Sequence, residues 1–212
     1  ICEKLVDRGV NVLSIGNPTR VNDKMLSFTY ERRFEGHPAY SELWSIRKAM
    51  REMGGKHRGS YEERESARNR MSRLRDRATQ LEIQINADLF DNAHVIASTL
   101  VSSNHRILNG RHFGTLFIDE AAQALEAACW IAIRKADRVV LAGDHCQLPP
   151  TIKCYEAARG GLECTLMERV VANKPSTVSL LKVQYRMHED IMKFPSQWFY
   201  NGELQAAPEI RY

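Results

Sequence analysis

The 212-residue chain has no G-x-x-x-x-G-K-[ST] segment, no C-x-x-C pair, no long apolar run and no internal repeat or low-complexity tract. Each absence removes a class of protein. A bilayer-spanning helix needs about 18 or more consecutive apolar residues, so no membrane span is expected. The five cysteines, Cys2, Cys129, Cys146, Cys154 and Cys164, are odd in number and too widely spaced for a zinc or redox motif. Free thiols of this kind suit a reducing, intracellular compartment: the cytoplasm, or the nucleus in a eukaryote. No basic-then-apolar leader precedes the first elements, and Ile1-Cys2-Glu3-Lys4 in place of an initiator methionine reads as a cut in a longer chain. The nearest lysine after glycines, in Gly54-Gly55-Lys56-His57, lacks the Ser or Thr of a phosphate-binding loop.

Strong net charge is also lacking. At 43% hydrophobic and 26% charged residues with a formal charge of +4, the composition is that of a globular protein. The charge is unevenly spread: residues 31–79 carry 13 Lys/Arg against 8 Asp/Glu, which leaves the rest close to neutral.

What is present centres on residues 113–150. Thr115-Leu116-Phe117-Ile118 is an apolar run that ends on Asp119-Glu120, and Val139-Val140-Leu141-Ala142 ends on Gly143-Asp144. Continuous apolar runs that stop at polar residues describe parallel strands buried on both faces, seen at the carboxyl edge where open α/β sheets bind ligands. Between them, Ala121 to Lys135 is expected to be a crossover helix. An acidic pair at a strand tip can hold a magnesium ion and polarise a water, though acids are also favoured at a helix N-terminus. The turn Gly143-Asp144-His145-Cys146-Gln147-Leu148-Pro149-Pro150 that closes the neighbouring run is too particular for ordinary loop composition.

Upstream, Leu5 and Val6 lie in a short helix ending at Gly9, and Val10 to Gly16 reads as a strand followed by an Asn17-Pro18-Thr19-Arg20 loop. From Pro38 the period becomes helical. Leu43, Ile46, Met50 and Met53 form one stripe, and Ala67, Met71, Leu74, Ala78, Leu81 and Ile85 form another. Packing stripe on stripe predicts an antiparallel hairpin whose second helix, about Tyr61 to Leu89, is on the order of 40 Å long. Its outer face carries Arg64, Arg68, Arg70, Arg73, Arg75 and Arg77. With Glu62, Glu63 and Glu65 nearby, that face is either salt-bridged or a nucleic-acid contact. The chain returns to the sheet at Ala93 to Ser98, with a hydroxyl-rich loop from Thr99 to Asn104 suited to phosphate contacts or to a helix cap. Beyond Pro150, the pattern predicts a helix at Leu162 to Val171 and a strand at Thr177 to Val183. A last helix is expected at His188 to Tyr200, interrupted at Pro195 and burying Ile191, Phe194 and Trp198.

Asp119-Glu120-Ala121-Ala122-Gln123, Gly143-Asp144-x-x-Gln147-Leu148-Pro149-Pro150 and Gln184-Tyr185-Arg186-Met187-His188 resemble motifs II, III and IV of superfamily-one helicases. They are most similar to the branch of the nonsense-mediated-decay and immunoglobulin-mu-binding helicases. The resemblance covers most of the chain, in the family's order. It implies a partial RecA-like parallel sheet with helices on both faces at residues 1–34 and 93–174, a helical-hairpin insertion at 35–92, and a second RecA-like unit opening at 175–212. It further implies ATP and Mg2+ as cofactors. Asp119 would coordinate magnesium, Glu120 would act as general base, Gln147 would sense the γ-phosphate, Tyr185 would stack on adenine and Arg186 would reach the γ-phosphate. Asn17, Arg20, Ser98, Thr99, Pro149 and Pro150 would meet the nucleic acid.

The function so implied is an ATP-dependent helicase or translocase, a monomer on single-stranded DNA or RNA with no membrane partner. Two alternatives stay open: an ATPase-inactive module that binds nucleic acid or protein, and a motor core serving a fused nuclease. The family's phosphate-binding loop and its last two motifs are missing from these 212 residues, so the chain by itself is expected to be inactive.

Overall fold

The computed structural model describes residues 1–17, 22–54 and 60–210. It is a mixed α/β structure, and its described strands pair as three separate two-stranded parallel sheets. Two compact units are present, residues 1–103 and 104–212.

In the first unit, α1 (Cys2–Val6) leads through Gly9, at φ 78°, to β1 (Val12–Ile15). Val12, Leu13 and Ile15 are buried. Two short helices follow, α2 (Asp23–Leu26) and α3 (Tyr30–Glu35), then α4 (Tyr40–Met53) and α5 (Tyr61–Asp91). β2 (Val95–Ser98) returns beside β1 in parallel, with Leu13 opposite Ile96 and Ile15 opposite Ser98.

The hairpin of α4 and α5 forms because both stripes exist. Leu43 from α4 and Ala78, Leu81 and Ile85 from α5 make a buried core, with Phe34, Tyr40, Ile46 and Met50 packed against it. Fully burying aliphatic side chains of this size stabilises by about 1.5–3 kcal/mol each. Ser60 starts α5 with a capping box, its hydroxyl accepting from Glu63 N–H while the Glu63 carboxylate accepts from Ser60 N–H. Burial thins along the helix: Leu81 and Ile85 are enclosed, whereas Ala67, Met71 and Leu74 are half-buried. At 31 residues α5 is slightly longer than the periodicity predicts.

The second unit contains β3 (Phe113–Ile118), α6 (Glu126–Ile133), β4 (Ala136–Leu141), the short α7 (Tyr155–Ala157), α8 (Leu166–Asn173), β5 (Val183–Gln184), α9 (Glu189–Phe199) and β6 (Gln205–Ala206). β3 and β4 run parallel, Leu116 opposite Val139 and Ile118 opposite Leu141. α6 packs on this pair, burying Cys129 and Ala132. The buried Lys135 donates from Nζ to the Leu108 carbonyl at 3.1 Å and thereby anchors the turn before β3.

Several expectations need correction. β3 and β4 are not buried on both faces: Ile118 is enclosed, but Phe117 is 73% exposed and Val140 is also exposed, as the period-2 alternation of a strand pair covered on one side requires. The crossover helix is shorter than Ala121 to Lys135, because residues 121–123 form a 3₁₀ turn first. In Thr177 to Val183 only Val183 is in a strand; the Lys182 carbonyl accepts from Gln205 N–H at 2.8 Å at the start of the β5–β6 pair, and no strand pairs with residues 178–181 among the described ones. α8 begins at Leu166, behind a wide turn whose Gly161 sits at φ 98°. α9 continues through Pro195, and its buried residues are Met192 and Ser196, while Ile191, Phe194 and Trp198 are 65%, 67% and 72% exposed.

Candidate functional site

The two polar strand ends lie side by side and are stitched by backbone. Ala142 N–H donates to the Ile118 carbonyl at 2.8 Å, and Ala121 N–H donates back to the Ala142 carbonyl at 2.9 Å. Glu120 stands between these bonds in a left-handed conformation, φ 54° and ψ 38°. For a residue other than glycine this costs on the order of 1–3 kcal/mol and persists only where the surroundings impose it. The result is that Asp119 and Glu120 both remain exposed at the tip while Ala121 and Ala122 are buried behind them.

Gly143 makes this proximity possible. A Cβ there would stand 3.0 Å from both Ala121 N and Ala122 N and 3.2 Å from Met167 Sδ. The next residue, Asp144, is the hub of the second turn. Its Oδ1 accepts from Cys146 N–H at 3.1 Å, and its Oδ2 accepts from Gln147 Nε2 at 2.8 Å and from the Tyr200 hydroxyl at 2.5 Å. Partial burial would raise this carboxyl, but the Tyr200 hydroxyl, the Gln147 amide and the Cys146 N–H outweigh it and hold Asp144 below the usual carboxylate range. Tyr200 is pushed well above an ordinary phenol, first by burial and then by its bond to Asp144.

Gln123, Cys146, Gln147, Leu148 and Pro149 line an open depression of about 370 Å³, so the Asp-Glu-Ala-Ala-Gln turn and the Gly-Asp turn share one surface. Gln123 Nε2 also reaches Glu120 Oε2 at 3.4 Å. Asp144, His145 and Cys146 bring three possible metal-ligand atoms within 4.8 Å of one another. Burial and then the Asp144 charge raise the Cys146 thiol. A hard cation is better matched by the exposed oxygens of Asp119.

The remaining predicted residues are distributed as follows. Tyr185 is 71% exposed and Arg186 is exposed. Both follow β5, and Gln184 Oε1 shapes the turn by accepting from Arg186 N–H at 2.9 Å and Met187 N–H at 2.8 Å. Pro149 is exposed and Pro150 buried. In the first unit, Asn17 is exposed beyond the end of β1, Ser98 is exposed as the last residue of β2, and Thr99 Oγ1 accepts from Ser102 N–H at 3.1 Å, capping the turn that follows. Arg20 lies outside the described residues.

On the long hairpin, Arg77 pairs with Glu42 at 2.7 Å and Arg47 with Glu82 at 2.7 Å, both across the two helices. Arg64, Arg68, Arg70, Arg73 and Arg75 make no ion pair among the described residues. Glu63 is occupied by the capping box. Among the described residues, the salt-bridged face that helical spacing permits is therefore absent over those positions.

Sequence reasoning missed Tyr200. It stands 56 residues from Asp144, and no local pattern links them.

Adjacent parallel strands that end on an acidic turn and a Gly-Asp turn define an α/β domain whose carboxyl strand edge is built from these two motifs. The chain belongs to the AAA-domain family, within the superfamily-one branch of the nonsense-mediated-decay and immunoglobulin-mu-binding helicases: an AAA-domain model matches residues 1–154 and a second matches residues 162–212. It is 33% identical to DNA-binding protein SMUBP-2 of Mesocricetus auratus over 99% of this chain and 22% of that protein. It is 35% identical to a regulator of nonsense transcripts 1 homolog of Arabidopsis thaliana over 99% of this chain and 16% of the relative. An uncharacterized ATP-dependent helicase of Methanocaldococcus jannaschii is 28% identical over 95% of this chain and 35% of its own length. The chain thus spans about a third or less of each of these relatives.

Proposed function

We propose that the protein is an ATP-dependent helicase or translocase acting on single-stranded DNA or RNA, with this chain as the middle of its motor. The observation that carries the reading is the juxtaposition of the two strand tips, with exposed Asp119 and Glu120 beside the turn that presents Gln147. The naming of similar proteins as helicases supports it. In this reading residues 1–34 and 93–174 belong to a RecA-like unit. Residues 35–92 are an inserted stalk, and residues from 175 open a second RecA-like unit.

Asp119 offers carboxylate oxygens to Mg2+, which would supply charge neutralisation to the phosphates of ATP. Glu120 is the general base, poised by a strained backbone that keeps its carboxylate at the exposed tip. Gln147 senses the γ-phosphate, Tyr185 stacks on adenine, and Arg186 meets the charge that spreads over the transferring oxygens. The described residues include no glycine-rich cradle for phosphates, so these groups form one part of the nucleotide site. The nucleic acid follows Asn17, Arg20, Ser98, Thr99 and Pro149, with the buried Pro150 stiffening the turn behind Pro149, and the arginines of α5 that lack an ion pair among the described residues add phosphate contacts.

In the full-length protein, Glu120→Gln is expected to abolish ATP turnover and spare ATP binding, because an amide keeps the shape but cannot take the water's proton. Undiminished turnover in that variant would remove Glu120 from the role of base and overturn the reading.

A further inference from the structure

Two consecutive residues at the end of α9 grip the Gly143–Pro150 turn. Tyr200 donates its hydroxyl to Asp144 Oδ2 at 2.5 Å, and the carbonyl of Phe199 accepts from Cys146 Sγ at 3.9 Å. The same Oδ2 accepts the Gln147 amide at 2.8 Å, so one carboxylate oxygen serves both the phenol and the amide. The end of α9 is itself closely specified. Tyr200 N–H and Gly202 N–H both donate to the Ser196 carbonyl, at 3.1 and 2.8 Å, and Asn201 and Gly202 turn the chain at φ 53° and 72°. The phenol therefore moves with the helix.

We propose that Tyr200 is a positioning residue for Gln147, acting through the carboxylate they share and so tying the placement of α9 to the nucleotide-facing turn. With one N–H committed to Asp144, the Gln147 amide is tethered at one corner. Its second N–H and its Oε1 are unpartnered among the described residues and lie at the open depression. A phenol donated to Asp144 is a charge-assisted bond, among the stronger hydrogen bonds a half-buried carboxylate can accept. Withdrawing it leaves the carboxylate to be solvated and the amide to rotate. The lowering of the Asp144 carboxyl below its usual range agrees with a carboxylate held by several donors at once.

The proposal rests on the reading of Gln147 as the γ-phosphate sensor, and a double-mutant cycle separates the two. In the full-length protein with saturating single-stranded nucleic acid, Tyr200→Phe should lower kcat for ATP about tenfold, the scale of one hydrogen bond to a charged group, with KM little changed. In a Gln147→Ala background the same change should add nothing, since the relay has lost its end group. A Tyr200→Phe loss that multiplies with the Gln147→Ala loss would assign the hydroxyl to general stability and overturn the proposal. Unchanged kcat in Tyr200→Phe beside a clear loss in Gln147→Ala would overturn the relay and leave the reading of Gln147 standing. Normal turnover in Gln147→Ala would overturn that reading, and the relay with it.

Discussion

Replacing Gly143 by alanine puts the closeness of the two strand tips to a direct test. The added Cβ would meet two backbone nitrogens, Ala121 N and Ala122 N, at 3.0 Å each, and neither can yield as a side chain could. Both belong to the turn that Glu120 enters in a left-handed conformation, with Ala121 N–H bonded to Ala142. The tips must therefore separate by a few tenths of an ångström, and overpacking of this kind costs about 1–3 kcal/mol. Gly114, in β3, is the matched control: nothing lies within 4 Å of its added Cβ and its φ is not positive. There the same change removes freedom from the unfolded chain and stabilises by about 0.4–1 kcal/mol. The two Gly→Ala variants should thus differ by roughly 1.5–4 kcal/mol, in opposite directions from the parent. Urea denaturation of both, followed by tryptophan fluorescence from Trp44, Trp130 and Trp198 together, measures the difference. Midpoints that agree within error would mean that the tips are not held together and that the site geometry is misjudged.

Changing Arg64, Arg68, Arg70, Arg73 and Arg75 together to glutamine should weaken single-strand binding by the full-length protein. The slope of log affinity against log salt should become shallower by about 0.7 for each phosphate no longer neutralised, whereas an unchanged slope would leave α5 as a solvated face. Asp144→Asn addresses pH. The folded carboxyl lies below its unfolded value near 3.9, so its contribution is present above that value and disappears as pH falls through the folded one. Below about pH 4 the parent's urea midpoint should fall more steeply than that of Asp144→Asn, and parallel acid limbs would refute the attribution.

Local pattern suffices where an element carries its own partner. α5 is legible because its apolar seam at three and four residues meets a matching seam in α4, and both are in the chain. The ends of β3 and β4 are legible because apolar runs stop abruptly on Asp119 and Gly143. Where a partner is lacking, pattern misleads. Ile191, Phe194 and Trp198 have the spacing of a buried stripe, yet only the Met192 and Ser196 side of α9 finds a neighbour, and Phe194 stacks on Trp198 at 5.9 Å instead. Residues 178–181 have strand composition but no strand to pair with among the described residues. Pro195 has the chemistry of a helix breaker, and α9 nonetheless accommodates it. The bond from Tyr200 to Asp144 has no local signal at all, since a contact across 56 residues is a property of the folded chain.

The hairpin of α4 and α5 is built like a cantilever. Its root is clamped by Leu43, Leu81 and Ile85, by the Tyr30 hydroxyl on Asn86 at 2.8 Å, and by the Phe34 ring against Tyr30 and Tyr40. Ion pairs across the two helices reach outward no further than Arg77, among the described residues. Past that point the seam is half-buried Ala67, Met71 and Leu74, and methionine adapts its shape at little cost. The five arginines from Arg64 to Arg75 occupy this same outer stretch. Half-buried packing and positive charge therefore coincide on the outer stretch of α5, apart from the clamped core.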